Sequence, residues 1–397
     1  MQMQAVVLGW QMYVLTENAF FLGFIGLTEA IPALGFALYA GYYVDHRKPL
    51  PVFYKILLLN TLSAGLMFLA QSDDNGLHLH LKISALFVSS FLTGTARAFA
   101  HPTIYTLVPG IVPRKLLSKA AAISASTMQV ARISGPALGG LLFGIIGISH
   151  TAGIVCALLL LALLCAMFIK KSPDASQKLR SSDSLRTQLL LGAKYVWKHP
   201  ILFPAMTLDM VSVFLGGVTA LLPIYASQVL SAGSQELGLL RSAPAMGAAL
   251  MGILLIFVPI KKNAGRLMFG AVLGFGFSIL IFALSQNILL SMLGLALSGA
   301  FDSVSVVIRS SAIQLCSPDS IRGRISSVNS IFVSSSNELG EFESGILAGL
   351  FGAVPAAVLG GVACLAMVGV MAYHFPKLRA LDLSELSNSE QVKAVES

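Results

Sequence analysis

Long apolar stretches alternate with short polar ones along the whole chain. The apolar runs cover 1–16, 19–43, 51–71, 82–109, 119–147, 150–170, 201–230, 237–259, 265–285, 288–315, 324–352 and 353–374. A helix needs about 20 apolar residues to cross a bilayer core, and every run but the first is long enough. The twelve runs divide six and six about a polar stretch at 171–200. The pattern predicts an all-α polytopic membrane protein built as two six-helix bundles, 1–170 and 201–374. A cytoplasmic linker at 171–200 joins them, and 375–397 is expected to be a disordered cytoplasmic tail. Outer-membrane barrels read instead as segments of about ten residues with alternating polarity, and the chain has no such segments. Inside the linker, 185–198 (LRTQLLLGAKYVWK) has the pattern of an amphipathic helix lying along the membrane surface. The first run begins at Met1 without a basic n-region or a small-residue cleavage site, so it does not read as a signal peptide. Sixteen residues are short for a span, and the expectation is that a true start lies upstream, with the front of the first helix missing.

The two halves repeat. An offset of 205 residues places Gly94 on Gly299, Pro113 on Pro318, Gly135 on Gly340, Gly140 on Gly345, Gly144 on Gly349 and Gly147 on Gly352. Duplicated six-helix halves are a common plan of secondary carriers, whose binding site lies at the midplane. The same offset puts Arg97 on Asp302, a base in one half against an acid in the other.

Composition narrows the class. Only 11% of the residues are charged and 56% are hydrophobic, whereas a soluble globular chain carries about 25% charged residues. A water-soluble enzyme of this length is excluded. The formal charge of +8 is spread over short loops, so the membrane accounts for it and no nucleic-acid partner is expected. With the 43–51 loop in the cytoplasm, 21 of the 26 basic residues fall on that side, while only Lys82 and Arg241 fall outside. The bias puts the central loop and the C-terminus in the cytoplasm. Cys156, Cys165, Cys316 and Cys364 lie within or at the ends of apolar runs without metal-ligand spacing, which reads as buried free thiols.

Ionisable residues inside the runs carry the candidate chemistry. Glu29, Arg97, Arg132, Asp209, Asp302, Arg309, Glu338, Glu341 and Glu343 all lie there. A charge near the bilayer centre costs on the order of 3 kcal/mol on insertion scales, so nine of them imply a watery interior or mutual pairing. Glu338 and Glu341 are three apart and share a helix face, with Glu343 directed elsewhere. Two close carboxylates cannot both ionise easily, which suits a proton-coupling site. The competing reading pairs Glu338, Asp302 and Asp209 with Arg97, Arg132 or Arg309. In the loop after the second run, Gly41 allows a close helix approach, and Asp45 with Arg47 and Lys48 makes a charge cluster able to latch two bundles in one state. A solvated basic turn serving topology alone is the alternative. Pro136 removes a backbone donor and kinks the fifth span, and the glycines around it permit close packing.

These segments resemble a known family. Gly41-Tyr-Tyr-Val-Asp45-His-Arg47-Lys48 is similar to the Gly-x-x-x-Asp-Arg loop of the major facilitator superfamily, and Gly135-Pro136-Ala-Leu-Gly139-Gly140 to the end of its antiporter motif. Pro318-Asp319-Ser-Ile-Arg322-Gly323-Arg324 resembles the loop before span 11 in the effluxer branch that holds enterobactin exporters and macrolide pumps. Residues Gln2 to Gln11 look like that branch's first helix, joined part-way along. Pro49 breaks the basic end of the first loop motif, and the loop between spans 8 and 9 lacks the family aspartate. The resemblance implies the major facilitator fold and a latch that includes Gly41, Asp45, Arg47, Asp319, Arg322 and Arg324. It also implies drug or siderophore export by antiport in a bacterial inner membrane.

No Walker loop, Gly-x-Ser-x-Gly or metal-type His or Cys pair occurs, so neither an ATP-driven mechanism within this chain nor a cofactor is expected. The 14 Met and 23 Phe suit a broad apolar pocket. The expected partners are a small-molecule substrate, protons and membrane lipid, with the protein working as a monomer by alternating access. A proton-coupled importer or facilitator on the same fold is the first rival, and a non-transporting membrane scaffold the second.

Overall fold

In hydrocarbon every backbone N–H must find its acceptor within the protein, so each apolar run folds as a helix. The computed structural model describes residues 1–71, 78–113, 116–169, 185–260, 262–318 and 321–384. The helices are α1 (Gln2–Thr16), α2 (Ala19–Gly35), α3 (Ala37–His46), α4 (Pro49–Gln71), α5 (Leu79–Ile111), α6 (Leu117–Met167) and α7 (Leu185–Lys198). They continue as α8 (Leu202–Leu215), α9 (Leu222–Ile224), α10 (Ser234–Phe257), α11 (Ala264–Leu284), α12 (Ile288–Cys316), α13 (Arg322–Phe351), α14 (Ala353–His374) and α15 (Pro376–Arg379). Among the described residues, eight helices are long and apolar enough to span a membrane by length and composition. The difference from twelve runs has local causes. One of the eight, Ser126–Met167, is two spans joined at Gly147. α1 has 15 residues, the second run breaks between α2 and α3 near Pro32 and Phe36, and serines and glutamates dilute α13.

The chain packs as two units, Met1–Ser182 with Ala220–Ser242 and Asp183–Thr219 with Ala243–Ser397. In the first unit α4 packs on α5 and α6, α2 on α5, and α1 on α6. Buried side chains tie α1 to α4 and α5: Gln4 Nε2 donates to Ser63 Oγ (2.7 Å), and Ser63 Oγ donates to the Ser89 carbonyl (2.7 Å). In the second unit α11 packs on α12 and α14, and α8 on α13 and α14. Leu202, Met206, Met268, Phe269, Ile308, Ile325 and Cys364 form part of its apolar core. Large apolar side chains such as Leu250, Ile253 and Phe277 face outward, while Gln4, Asn60, Asp209, Arg309 and Glu338 are buried. Such an inside-out distribution suits lipid as the surrounding solvent.

The 205-residue repeat is visible in the backbone. Among the described residues, Gly147 (φ 79°) and Gly352 (φ 90°) are the positive-φ glycines, and they are equivalent under the offset. Each turns the chain between spans, 5 to 6 and 11 to 12, where a side chain would be strained. Gly94 and Gly299, another equivalent pair, sit so close to a neighbouring helix that a Cβ would lie 2.1 Å from the Glu29 carbonyl oxygen and 1.9 Å from that of Pro244.

Three features depart from the expected organisation. Span 7 is interrupted: α8 stops at Leu215, a 3-10 turn covers Thr219–Leu221, and Tyr225–Val229 is π-helical. Gly216 and Gly217 make the break, and residues 220–242 pack with the first unit, so packing divides the chain at this break as well as near the linker. The segment expected to be a disordered tail begins with ordered structure. Leu378, Leu381 and Leu383 are buried in the core of the second unit, the Gly265 N–H donates to the Leu381 carbonyl (3.0 Å), and the Asn263 N–H to Asp382 Oδ2 (3.2 Å). Three leucines at close spacing anchor a strap there; 385–397 lie outside the described residues. Finally, α7 forms as expected but docks on protein along one face. A Cβ on Gly192 would meet the Arg324 carbonyl oxygen at 2.9 Å, and Tyr195 Oη donates to the Cys316 carbonyl (2.7 Å).

Candidate functional site: charges within the helices

Among the described residues, an ion pair lies inside the helices of each unit. In the first, α2 and α5 bring Glu29 Oε1 within 3.0 Å of Arg97 Nη1, with the Glu29 side chain 21% exposed and that of Arg97 50%. In the second, Arg309 of α12 pairs with Asp209 of α8, and the two side chains are only 4% and 5% exposed. Ser305 Oγ, one turn before Arg309, donates to Asp209 Oδ1 (2.9 Å). Arginine stays protonated in proteins, and Asp209 is the acidic side chain that faces it. A cavity of about 10 Å³ beside the pair is lined by Asp209, Ser212, Phe275, Phe301, Asp302 and Ser305, among others. That is about one water-sized sphere. Asp302 thus lies beside the Asp209 pair within one unit, at the position that the repeat equates with Arg97.

The span 11 acids lie beside the break in span 7. Glu338 is buried and Glu341 half-buried, on either side of Gly340 in α13. A Cβ on Gly340 would lie 2.9 Å from the Phe214 carbonyl oxygen, so α13 and α8 are in backbone contact there. Ser344 Oγ donates to the carbonyl of Gly217, one of the acceptors released by the break, and lies 3.5 Å from Glu343 Oε2. The span 7 break is therefore built from Gly216, Gly217, Gly340 and Ser344, with Glu338, Glu341 and Glu343 interleaved among the last two on α13. Arg132 is exposed on α6.

The expected latch residues are placed unevenly. Gly41 has no described atom within 4 Å of a Cβ built on it, so no close approach is made there among the described residues. Arg47 is stacked over the Tyr43 ring, 5.7 Å from its centroid, a cation–π contact. The Asp45 side chain and the whole of Asp319 lie outside the described residues. Arg322 Nη2 donates to the Ser317 carbonyl (3.2 Å), bracing the turn into α13. In the packing motif, a Cβ on Gly135 would meet Gln2 Cβ at 2.5 Å, and one on Gly139 would meet Met3 Cα at 3.2 Å. One on Gly140 would meet the Ser234 carbonyl oxygen at 2.3 Å and Gly238 Cα at 2.7 Å. Pro136 is buried inside α6, and its carbonyl oxygen would lie 2.6 Å from a Cβ on Gly238.

Sequence reasoning overlooked several of these groups. Ser305, Ser344 and the Gly216-Gly217 pair were not singled out, although a double glycine inside an apolar run signals a discontinuous helix. Arg241, counted above on the outer side, lies within α10, where its Nη1 reaches the Ala5 carbonyl (3.5 Å). A second register could have found it. Gly26-Leu27 and Pro32-Ala33-Leu34-Gly35 match Gly238-Leu239 and Pro244-Ala245-Met246-Gly247 at an offset of 212, which puts Arg241 on Glu29.

The comparisons with known proteins agree with this architecture. Enterobactin exporter EntS of Shigella dysenteriae serotype 1 is 24% identical over 271 residues, 68% of this chain and 64% of that protein. The EntS protein of Escherichia coli O1:K1 matches to the same extent. The match thus spans less than two thirds of the length of these relatives. Among solved structures, a variant of the nucleoside transporter NupG superposes with a TM-score of 0.71 at 13% identity, over 94% of this chain and 96% of that one. A D-xylose–proton symporter superposes with a TM-score of 0.66 at 13% identity, over 96% and 98%. The family model described as transmembrane secretion effector matches residues 1–396. This multi-pass membrane chain, with the major facilitator fold, therefore belongs to the transmembrane secretion effector family.

Proposed function

We propose that the chain is a monomeric secondary transporter of a bacterial inner membrane, with its C-terminus in the cytoplasm. It exports an amphipathic small molecule, drug-like or siderophore-like, by alternating access against inward proton flow. The observation that carries the proton reading is the place of two glutamates beside a broken helix. Glu338 and Glu341 lie on α13 next to the glycine contact at the span 7 break. A carboxylate beside unwound backbone can change its surroundings when the break repacks, and its proton affinity changes with them. Glu338 and Glu341 are thus the first candidates for the proton, with Asp302, lining the small cavity, next. Glu29 with Arg97 and Asp209 with Arg309 hold helices together as pairs. Export is favoured by the enterobactin exporters among the relatives. The same fold also serves uptake, as in the D-xylose–proton symporter.

Everted membrane vesicles separate the two directions. With an acid-inside gradient imposed, an exporter accumulates its substrate in the lumen. Loss of substrate from the lumen under that gradient would favour the importer, and no movement of any probe would favour the scaffold.

A further inference from the structure

We propose that the cleft where α7 meets the start of α8 is a binding site for the phosphoryl headgroup of an anionic phospholipid. The cleft has a volume of about 390 Å³ and is lined by Leu191, Lys194, Tyr195, Lys198, His199, Pro200 and Ile321. That volume falls within the range of small-ligand pockets. Leu191, Lys194, Tyr195 and Lys198 stand at positions i, i+3, i+4 and i+7, so one face of α7 supplies two ammonium groups flanked by apolar surface.

Donors and charge fit a phosphate. Residues 185–200 contain Arg186, Lys194, Lys198 and His199 but no acid. His199 Nδ1 accepts from the N–H groups of Ile201 and Leu202 (3.2 Å each), so the ring proton is on Nε2 and that nitrogen is a donor. Burial lowers the pKa of His199, which keeps the ring in this neutral form near pH 7. Tyr195 Oη is held by the Cys316 carbonyl and fixes the wall of the cleft. The two lysines remain exposed and able to reach an anion.

Position decides in favour of a lipid over a soluble phosphate. The cleft ends where the spanning segment begins at Leu202, which is the depth of a headgroup. Trp197, 71% exposed, and the exposed Leu191 lie on the same short helix, and tryptophan gathers at membrane–water interfaces. Gly192 and Tyr195 hold α7 against the second unit, so the basic face is presented in a fixed orientation. Basic pockets at the ends of spans bind anionic headgroups, with about 1 kcal/mol per lysine near the surface. The inference is independent of the direction and coupling of transport.

Thermal stability of the purified full chain in detergent tests it, with phosphatidylglycerol, phosphatidylcholine or inorganic phosphate added. Phosphatidylglycerol is expected to raise the melting temperature, and neither phosphatidylcholine nor phosphate to match it. Lys194→Gln/Lys198→Gln should melt with the wild type in the absence of lipid, yet need roughly thirtyfold more phosphatidylglycerol for the same shift. Lys194→Arg/Lys198→Arg should keep the response, as should Lys262→Gln/Lys377→Gln, which removes the same charge elsewhere. The proposal is overturned if the Lys194/Lys198 glutamine variant responds like the wild type. It is equally overturned if phosphatidylcholine or free phosphate alone gives the full shift, or if phosphatidylglycerol gives none.

Discussion

Replacing Asp209 by alanine isolates what the buried pair of the second unit does. Arg309 would then keep its charge with its side chain 4% exposed, and Ser305 would lose its acceptor. Removing one member of a buried pair costs about 3–5 kcal/mol, because the other is left uncompensated. At about 2–4 °C per kcal/mol for a unit of this size, the melting temperature should fall by roughly 6–20 °C. Replacing both partners with apolar residues removes the stranded charge. Asp209→Leu/Arg309→Met should therefore recover most of the loss, a coupling that a double-mutant cycle measures directly. Melting curves of detergent-solubilised protein, read by fluorescence-detected size exclusion, supply the four values. The reasoning fails if Asp209→Ala melts with the wild type, or if the double variant is no more stable than the worse single one. A proton-carrying Asp209 gives another pattern: Asp209→Asn would keep its stability and lose only the response to pH.

Four further outcomes can be measured. Gly140→Leu should lower stability and transport, since even a Cβ meets the Ser234 carbonyl oxygen at 2.3 Å; Gly41→Ala, with no described atom within 4 Å, should be neutral or gain up to about 1 kcal/mol in helix propensity, and equal melting temperatures for the two variants would refute the contrast. Asp45→Asn should abolish most transport while leaving the protein inserted and folded, and full activity would reduce that loop to a topology signal. Because burial lowers the pKa of His199, the unfolded chain takes the proton first as pH falls through about 6.5. His199 should then destabilise the fold on acidification until its own lower pKa is reached, and the wild type should lose more stability between neutral pH and pH ~5 than His199→Asn. In a cysteine-free background, cysteines at Asn75 and Gly233 should label from outside and one at Gln177 should not; labelling at Gln177 in sealed cells would reverse the orientation.

Much of the architecture was legible because hydrocarbon leaves few options. Apolar runs must be helices, and the repeated glycines mark helix approaches and interhelical turns that side chains cannot occupy. The equivalence of Gly147 and Gly352 survives as a shared positive φ, and that of Gly94 and Gly299 as a shared contact against backbone. The interruption of span 7 was missed because Gly216-Gly217 does not change the hydropathy of its run. Ser344 was missed for a related reason: a hydroxyl that replaces a lost backbone donor resembles any other serine in a helix. The strap at 376–384 reads as disordered from its polar residues, while the three leucines that bury it carry too little hydropathy to register. Pairing was only partly legible. Composition shows that charges inside spans need partners, but whether Asp209 meets Arg309 or another arginine depends on helix rotation, which the sequence pattern alone does not set. Gly41 shows the converse error, a motif glycine with open space around it.

The central claim is that a span 11 glutamate carries the proton that drives export. Uphill accumulation in everted vesicles under an imposed pH gradient tests it, with enterobactin leading a panel of siderophores and drugs. Wild-type protein should accumulate a substrate when the lumen is acidic, and dissipating the gradient should release it. Glu338→Gln or Glu341→Gln should keep substrate exchange down its own gradient and full thermal stability, yet lose uphill accumulation. The account is contradicted if both glutamine variants accumulate substrate as the wild type does, or if wild-type accumulation is indifferent to the pH gradient.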